Sequence, residues 1–293
     1  MESTDLRVFL AVAREGSITK AAARLGYVQS NVTARIQQLE AELQTVLFYR
    51  HNRGMKTTSS GENLLVYAER VVTLLEEASR AMTVSSEPSG PLRLGSLQTT
   101  AAVRLPGLLA AYHKRFPGVS LSLTTGLSHE LIEKVQHYEL DGAFVALHAP
   151  TTDIQAIPVF EEERLIVSEQ AIQTLDEALT KPILVFSSGC SYREILEEWL
   201  RSRGIVAFNV MEFGTLEAII GGVTAGLGIS LLPKSVISRT AEAGLVHLHP
   251  IPEEYSHSAT FFVTRKDSFI PSSLQELIQM LGESTINAGY KLN

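Results

Sequence analysis

Cysteine is almost missing from this chain: Cys190 stands alone in 293 residues. No intramolecular disulfide can form, and the density of small secreted scaffolds is absent. No run of about 18 apolar residues occurs, so no membrane-spanning helix is expected. The N-terminus lacks the basic, apolar and small-residue succession of an export signal, which points to the cytoplasm. Missing too are a P-loop, a dinucleotide-binding glycine fingerprint and a nucleophile elbow. With no catalytic constellation in view, an enzyme is not expected, and neither is a cofactor. Excess positive charge is also lacking. The 32 Asp+Glu outnumber the 25 Lys+Arg, leaving a net charge of −7.

That acidity is unevenly spread. Residues 1–58 hold eight cations against five anions, a local +3. Residues 59–90 carry −3 and residues 91–293 carry −7. A basic N-terminal segment on an acidic chain is the footprint of a local nucleic-acid contact.

The N-terminal segment has the grammar of a winged helix-turn-helix. Leu6, Phe9, Leu10 and Ala13 give a first helix one apolar face, and Gly16 ends it. Ser17 caps a short second helix containing Ala21-Ala22-Ala23, followed by Gly26 in the turn. Val32, Ile36, Leu39 and Leu43, spaced 4, 3 and 4, form the buried stripe of a third helix from about Gln29. Its other side shows Gln29, Ser30, Asn31, Thr33 and Arg35, residue types that read base edges or hold phosphates. Arg50, Arg53 and Lys56 follow in a Gly-containing hairpin suited to phosphate contact. A solvated polar helix and a charged hairpin without a partner are the plain alternatives.

These residues resemble the LysR-type transcriptional regulators. The match runs through Phe9, Ser17, Ala21, Ala22, Leu25, Gln29, Ser30, Val32, Ile36, Leu39, Glu40, Leu47, Phe48, Arg50, Arg53, Thr58 and Gly61. Val28, Asn31, Thr33, Ala34 and Thr57 depart from the family's usual residues, so no operator sequence can be borrowed. The chain is most similar to a subgroup with Val-Gln-Ser-Asn-Val-Thr in the third helix and Gly-Cys-x-Tyr-Arg later. Some members of that subgroup are named for cation-efflux operons. The resemblance implies sequence-specific binding of double-stranded DNA at a pseudo-palindromic site. It also implies self-association as a dimer or tetramer, a small-molecule effector, and RNA polymerase as a further partner.

Residues 59–90 read as a coupling helix and hinge. Leu64, Ala68, Val71, Leu75, Ala78 and Met82 repeat at 4, 3, 4, 3 and 4, a heptad seam suited to pairing with a second copy. Packing on its own domain is the alternative. Ser85-Ser86-Glu87-Pro88-Ser89-Gly90-Pro91 is a hinge by composition.

From residue 91 strands and helices alternate, an α/β pattern in two halves. The expected strands are 91–95, 119–124, 142–147, 183–186, 209–213 and 229–232. The expected helices are 99–115, 128–138, 192–203, 216–225 and 272–286. Here the resemblance is to a two-subdomain effector domain like that of periplasmic binding proteins. Subdomain 1 would be about 91–163 and 266–293, and subdomain 2 about 164–265, with crossings near 161–166 and 264–268. Ligands in such sheets sit beyond strand ends at helix N-termini. That singles out Ser96, Gln98, Thr99 and Thr100, then Gly126 and Ser128, then Ser187, Ser188 and Cys190, with a small anion as the expected effector. Ordinary helix capping is the alternative for each.

Cys190 at a helix start suggests a lowered thiol pKa and a redox role, against a plain core residue. His247 and His249 fall on one strand with His257 nearby, too few for a defined metal site. Arg193, Glu194, Glu197, Glu198 and Arg201 read as surface ion pairs, and Trp199 as core. A solute-binding or enzymatic α/β protein with an incidental helical domain is the competing class.

Overall fold

The computed structural model describes residues 1–51, 54–82, 87–147, 152–266 and 270–287. They form two compact units, one built on Met1–Val84 and the other on Ser85–Gln136 and Leu140–Asn293.

The first unit runs α1 (Ser3–Glu15), α2 (Ile18–Leu25), α3 (Gln29–Glu42), β1 (Phe48–His51), β2 (Gly54–Thr57) and α4 (Ser59–Met82). Gly16 closes α1 in the left-handed region, and the Ser17 hydroxyl accepts from the Lys20 amide to open α2. Gly26 closes α2 the same way at φ 69°, a backbone that costs glycine little. Val8, Phe9, Val12, Ala21, Val32, Ile36 and Leu39 form the core. Each of the larger side chains contributes roughly 1.5–3 kcal/mol by leaving water. Glu40 ties α3 to the hairpin, its carboxylate accepting from the amides of Leu47 and Phe48. At Gly54 (φ 131°) a Cβ would lie 2.4 Å from the Gly16 carbonyl oxygen, so only glycine lets the wing close on that turn.

Helix α4 corrects the expected seam. Ala68 is buried in the first unit's own core, and Leu64 packs against the same cluster. Arg7–Glu76 and Arg14–Glu69 ion pairs join α1 to α4. The first two seam positions therefore serve the domain itself, because α4 needs one apolar side to hold α1. The exposed apolar stripe is Tyr67, Val71, Leu74, Leu75 and Met82, with Ala78 also exposed. Ser85 and Ser86 of the expected hinge lie outside the described residues.

The second unit begins with β3 (Gly90–Ser96), α5 (Gln98–Val103), α6 (Leu105–Arg115), β4 (Val119–Thr125), α7 (Ser128–Gln136), β5 (Gly142–Ala146) and the long β6 (Ile154–Glu169). It continues with α8 (Leu175–Ala178), β7 (Ile183–Val185), α9 (Ser191–Ser202), β8 (Val210–Glu212), α10 (Leu216–Thr224), β9 (Ser230–Pro233), α11 (Lys234–Glu242) and β10 (Val246–His249). It ends with α12 (Glu253–Ser256), β11 (His257–Arg265) and α13 (Ser272–Asn287). The single helix expected over 99–115 is two helices. Pro106 has no N–H to continue the ladder, and the break falls at Arg104.

Strands β4, β3 and β5 are parallel neighbours, and β11 runs antiparallel between β5 and β6. The same β6 then pairs with β9 and β10 through Arg164–Glu169. One strand thus belongs to both subdomains, and the first crossing lies within the expected 161–166. The second crossing comes earlier than 264–268. Strand β11 already pairs with β5 and β6 from His257, so residues 257–265 belong to subdomain 1. Its Phe262 joins the core of Leu92 and Phe144, while Phe261 and Val263 join a separate cluster with Leu131 and Val145. Separate cores fill the two subdomains, with Leu92, Phe144 and Phe262 in one and Ile166, Leu196 and Trp199 in the other.

Candidate nucleic-acid interface and ligand pocket

Helix α3 presents Gln29, Ser30, Asn31 and Ala34 to solvent, while Val32, Ile36 and Leu39 face the core. Val28 precedes it as a cap without a side-chain hydrogen bond and is 68% exposed, adding an apolar group beside the polar row. Gln29 accepts from the Thr19 hydroxyl at 3.3 Å, which orients its amide. Thr33 turns its hydroxyl onto the Gln29 carbonyl and is half-buried.

Arg35 requires a correction. Its guanidinium pairs at 2.8 Å with Asp5, a residue buried at the start of α1. Asp5 also accepts from the Glu2 amide. Arg35 therefore locks α3 to α1 and is withdrawn from the reading face. Lys20 on α2 is also exposed and in no ion pair among the described residues.

The wing divides its cations. Cross-strand partners share a face, and the pairs are Tyr49 with Lys56 and Arg50 with Met55. Arg50 and Lys56 are both exposed but leave opposite faces of the hairpin. Arg53 lies outside the described residues.

In the second unit the segments singled out by sequence do converge. A cavity of about 200 Å³ is lined by Gln98, Thr99, Gly126, Ser128, Ser187 and Cys190. Ser96, Thr100 and Ser188 are not among its lining residues. Ser96 and Thr100 are buried, and Ser96 spends its hydroxyl on the Leu97 carbonyl. Ser188 is exposed on the turn before α9. The Ser128 hydroxyl accepts from the Ala146 amide, so its role includes fixing α7 to β5.

Two side chains span the cleft at this cavity. Gln98 of subdomain 1 donates to the Gly214 carbonyl at 3.3 Å and accepts from the Leu216 amide at 3.2 Å, capping α10 of subdomain 2. Thr99 pairs with the Tyr192 hydroxyl at 3.2 Å. Burial pushes the Tyr192 pKa up to about 12, so the hydroxyl stays neutral. Tyr192, Phe186 and Phe213 line the cavity and were missed. As apolar or aromatic residues inside expected elements they read as core.

Cys190 does cap α9. Burial nevertheless pushes its thiol pKa up, outweighing the amides of Tyr192 and Arg193 that pull it down. Burial thus works against the lowered thiol pKa that the helix start suggested. His249 is buried against the Ser168 hydroxyl at 2.8 Å, and its ring lies 4.8 Å from that of His247. Burial first, and His247 second, lower its pKa. Among the described residues no group of three metal-ligating side chains occurs. Arg193 and Arg201 both pair with Glu197, and Trp199 is buried, as expected.

Residues 3–62 match the model of the bacterial regulatory helix-turn-helix protein, lysR family, and residues 85–285 match the LysR substrate binding domain. The chain belongs to the LysR family. Relatives of LysR type span its whole architecture. The uncharacterized HTH-type transcriptional regulator YusT of Bacillus subtilis is 60% identical over 94% of this chain and 93% of its own length. The HTH-type transcriptional regulator GltR of Bacillus subtilis is 49% identical, covering 93% of each. A full-length OxyR variant from Pseudomonas aeruginosa shares the fold at a TM-score of 0.73 and 24% identity, covering 97% of this chain and 94% of its own. Full-length CbnR complexed with its target DNA does so at 0.71 and 22%, covering 97% and 100%. This LysR-family member is thus a DNA-binding transcriptional regulator with a substrate-binding domain, not an enzyme. No helix among the described residues is long and apolar enough to cross a membrane.

Proposed function

We propose that this regulator works as an oligomer whose hold on DNA is reset by a small, anionic effector. Gln29, Ser30 and Asn31 read base edges in the major groove, where Gln and Asn can bond adenine bidentately. Arg50 and Lys56 hold phosphates, and Arg53 extends that set. The exposed stripe Val71, Leu75, Ala78 and Met82 on α4 pairs with a second copy, so a two-fold protein meets a pseudo-palindromic site. A tetramer and a contact with RNA polymerase follow from the family's way of working, in the cytoplasm.

The observation that carries the reading is the pair of cleft-spanning side chains beside the cavity. Gln98 and Thr99 are at once pocket-lining and cleft-closing. An effector that takes over the donor or acceptor either side chain now uses breaks a bond between the subdomains. It then binds one subdomain arrangement better than the other, which is what a ligand needs to shift an equilibrium. Cys190, Ser191 and Tyr192 bring the start of α9, the positive end of its dipole, to the cavity wall. The cavity also holds Glu130, but its carboxylate is turned onto the Leu127 amide.

Gln98→Ala tests this without knowing the effector. Footprinting on the DNA upstream of the gene should show a protected region that differs in length from wild type, with affinity retained. An unchanged footprint would break the link between cleft and DNA. In sedimentation, Val71→Glu with Leu75→Glu should shift the protein to a smaller species.

A further inference from the structure

A second cavity, of about 710 Å³, shares Leu97, Ser191 and Tyr192 with the first but is otherwise lined by different residues. Arg164, from the point where β6 passes between subdomains, lines it and is only 4% exposed. Its Nη2 donates to the His257 carbonyl. Among the described residues its Nε has no partner. Arg164 enters no ion pair among them either, and Glu162, two places along the strand, is taken by Arg104 and Ser235. Buried charges are ordinarily paired, because desolvating one alone is costly. Burial here lowers the arginine's pKa, the mark of that cost. A buried guanidinium on a roomy cavity with no carboxylate of its own lacks an anion.

Other lining residues say what carries the anion. Glu194, Glu198 and Glu254 line the cavity and are exposed, so an anion alone would meet three carboxylates on the way in. Tyr255 and Phe261 add aromatic surface. We propose that this cavity is a second ligand site, for a small amino-carboxylate. Its carboxylate pairs with Arg164, its ammonium meets the three glutamates, and its carbon chain lies on Tyr255 and Phe261. Tyr192 borders both cavities, so occupancy here bears on the Thr99–Tyr192 bond.

The test is thermal unfolding of the full chain with 6-aminohexanoate, hexanoate or hexylamine. At about 20 mM, 6-aminohexanoate should raise Tm by roughly 3 °C, hexanoate by less and hexylamine not at all. Arg164→Met should abolish the rise while leaving Tm without probe close to wild type, since it removes an unpaired charge. Glu194→Gln with Glu254→Gln should reduce the 6-aminohexanoate shift to that of hexanoate. The proposal is overturned by no shift in wild type, by an undiminished shift in Arg164→Met, or by an equal shift with hexylamine. It is also overturned if Ser187→Ala, which touches the first cavity only, abolishes the shift. Only that last outcome would move the probe to the first cavity.

Discussion

The DNA-reading surface and the ligand pocket are built in opposite ways. The reader takes its exposed groups from one stretch of α3, and its buried groups lie three or four residues away on the same helix. The pocket collects short runs of residues from separate segments near positions 98, 126, 187, 190 and 213. A helix face is set by 3.6-residue periodicity, so local sequence suffices to lay it out. A cleft exists only after two sheets have formed and been joined through β6. The reader's side chains lie largely in solvent, with Gln29 held by the Thr19 hydroxyl of the neighbouring helix, whereas Gln98 and Thr99 in the pocket hold hydrogen bonds between the subdomains. One surface waits for a partner; the other already holds internal bonds that a ligand can replace.

The largest way to strain this comparison is Asp5→Ala. It strips the buried partner from Arg35 and should cost the reader about 3 kcal/mol, while the second unit keeps its stability. Urea unfolding followed with a probe in each unit would show it. If instead stability holds and only DNA binding falls, Arg35 belongs to the reading face after all.

Next in size, Gln29→Ala with Asn31→Ala should weaken binding to the specific site by roughly 10- to 100-fold. Binding to unrelated DNA should change little, as a competition gel shift would measure. Lys56→Ala should act on all sequences alike and reduce the slope of log affinity against log salt by about 1.

On the pocket side, Thr99→Val and Tyr192→Phe remove the same hydrogen bond. Each should cost about 1 kcal/mol of stability in the second unit, and the double variant little more than either. Additive losses would mean that the bond is not what joins the subdomains there.

The smallest effect is a pH dependence. The folded pKa of His249 lies below its ordinary value of 6.5. The unfolded chain then takes up a proton first as pH falls, so the stability present above pH 6.5 declines below it. His249→Asn should flatten that decline in thermal melts run between about pH 7 and 5. An unchanged slope would assign it to other groups.

Much of the reader was legible because its signals are local. Gly16, Ser17 and Gly26 mark helix ends by backbone and capping chemistry alone, and Val32, Ile36 and Leu39 mark the buried side. Arg35 was misplaced because a guanidinium on a polar face looks the same whether it meets DNA or Asp5, thirty residues earlier. The heptad on α4 was ambiguous for a similar reason, and its first two positions, Leu64 and Ala68, pack within the first unit. An apolar stripe needs a cover, and periodicity does not say whether a second copy or α1 provides it. Tyr192 and Phe213 were overlooked since aromatics within α/β elements read as core. The thiol of Cys190 went the other way from its helix-start position because burial, invisible in sequence, outweighs two backbone amides.

By itself, then, the sequence determined the family, the three helices of the first unit and the exposed row of α3, since the helix signals are only a few residues long. Only the tertiary structure decided which of those groups are free. It alone paired Arg35 with Asp5, hung Gln98 between two subdomains and left Arg164 buried without a counter-charge among the described residues. Those facts depend on residues 30 to 118 positions apart meeting across a cleft or a helix crossing, and no local pattern records such meetings.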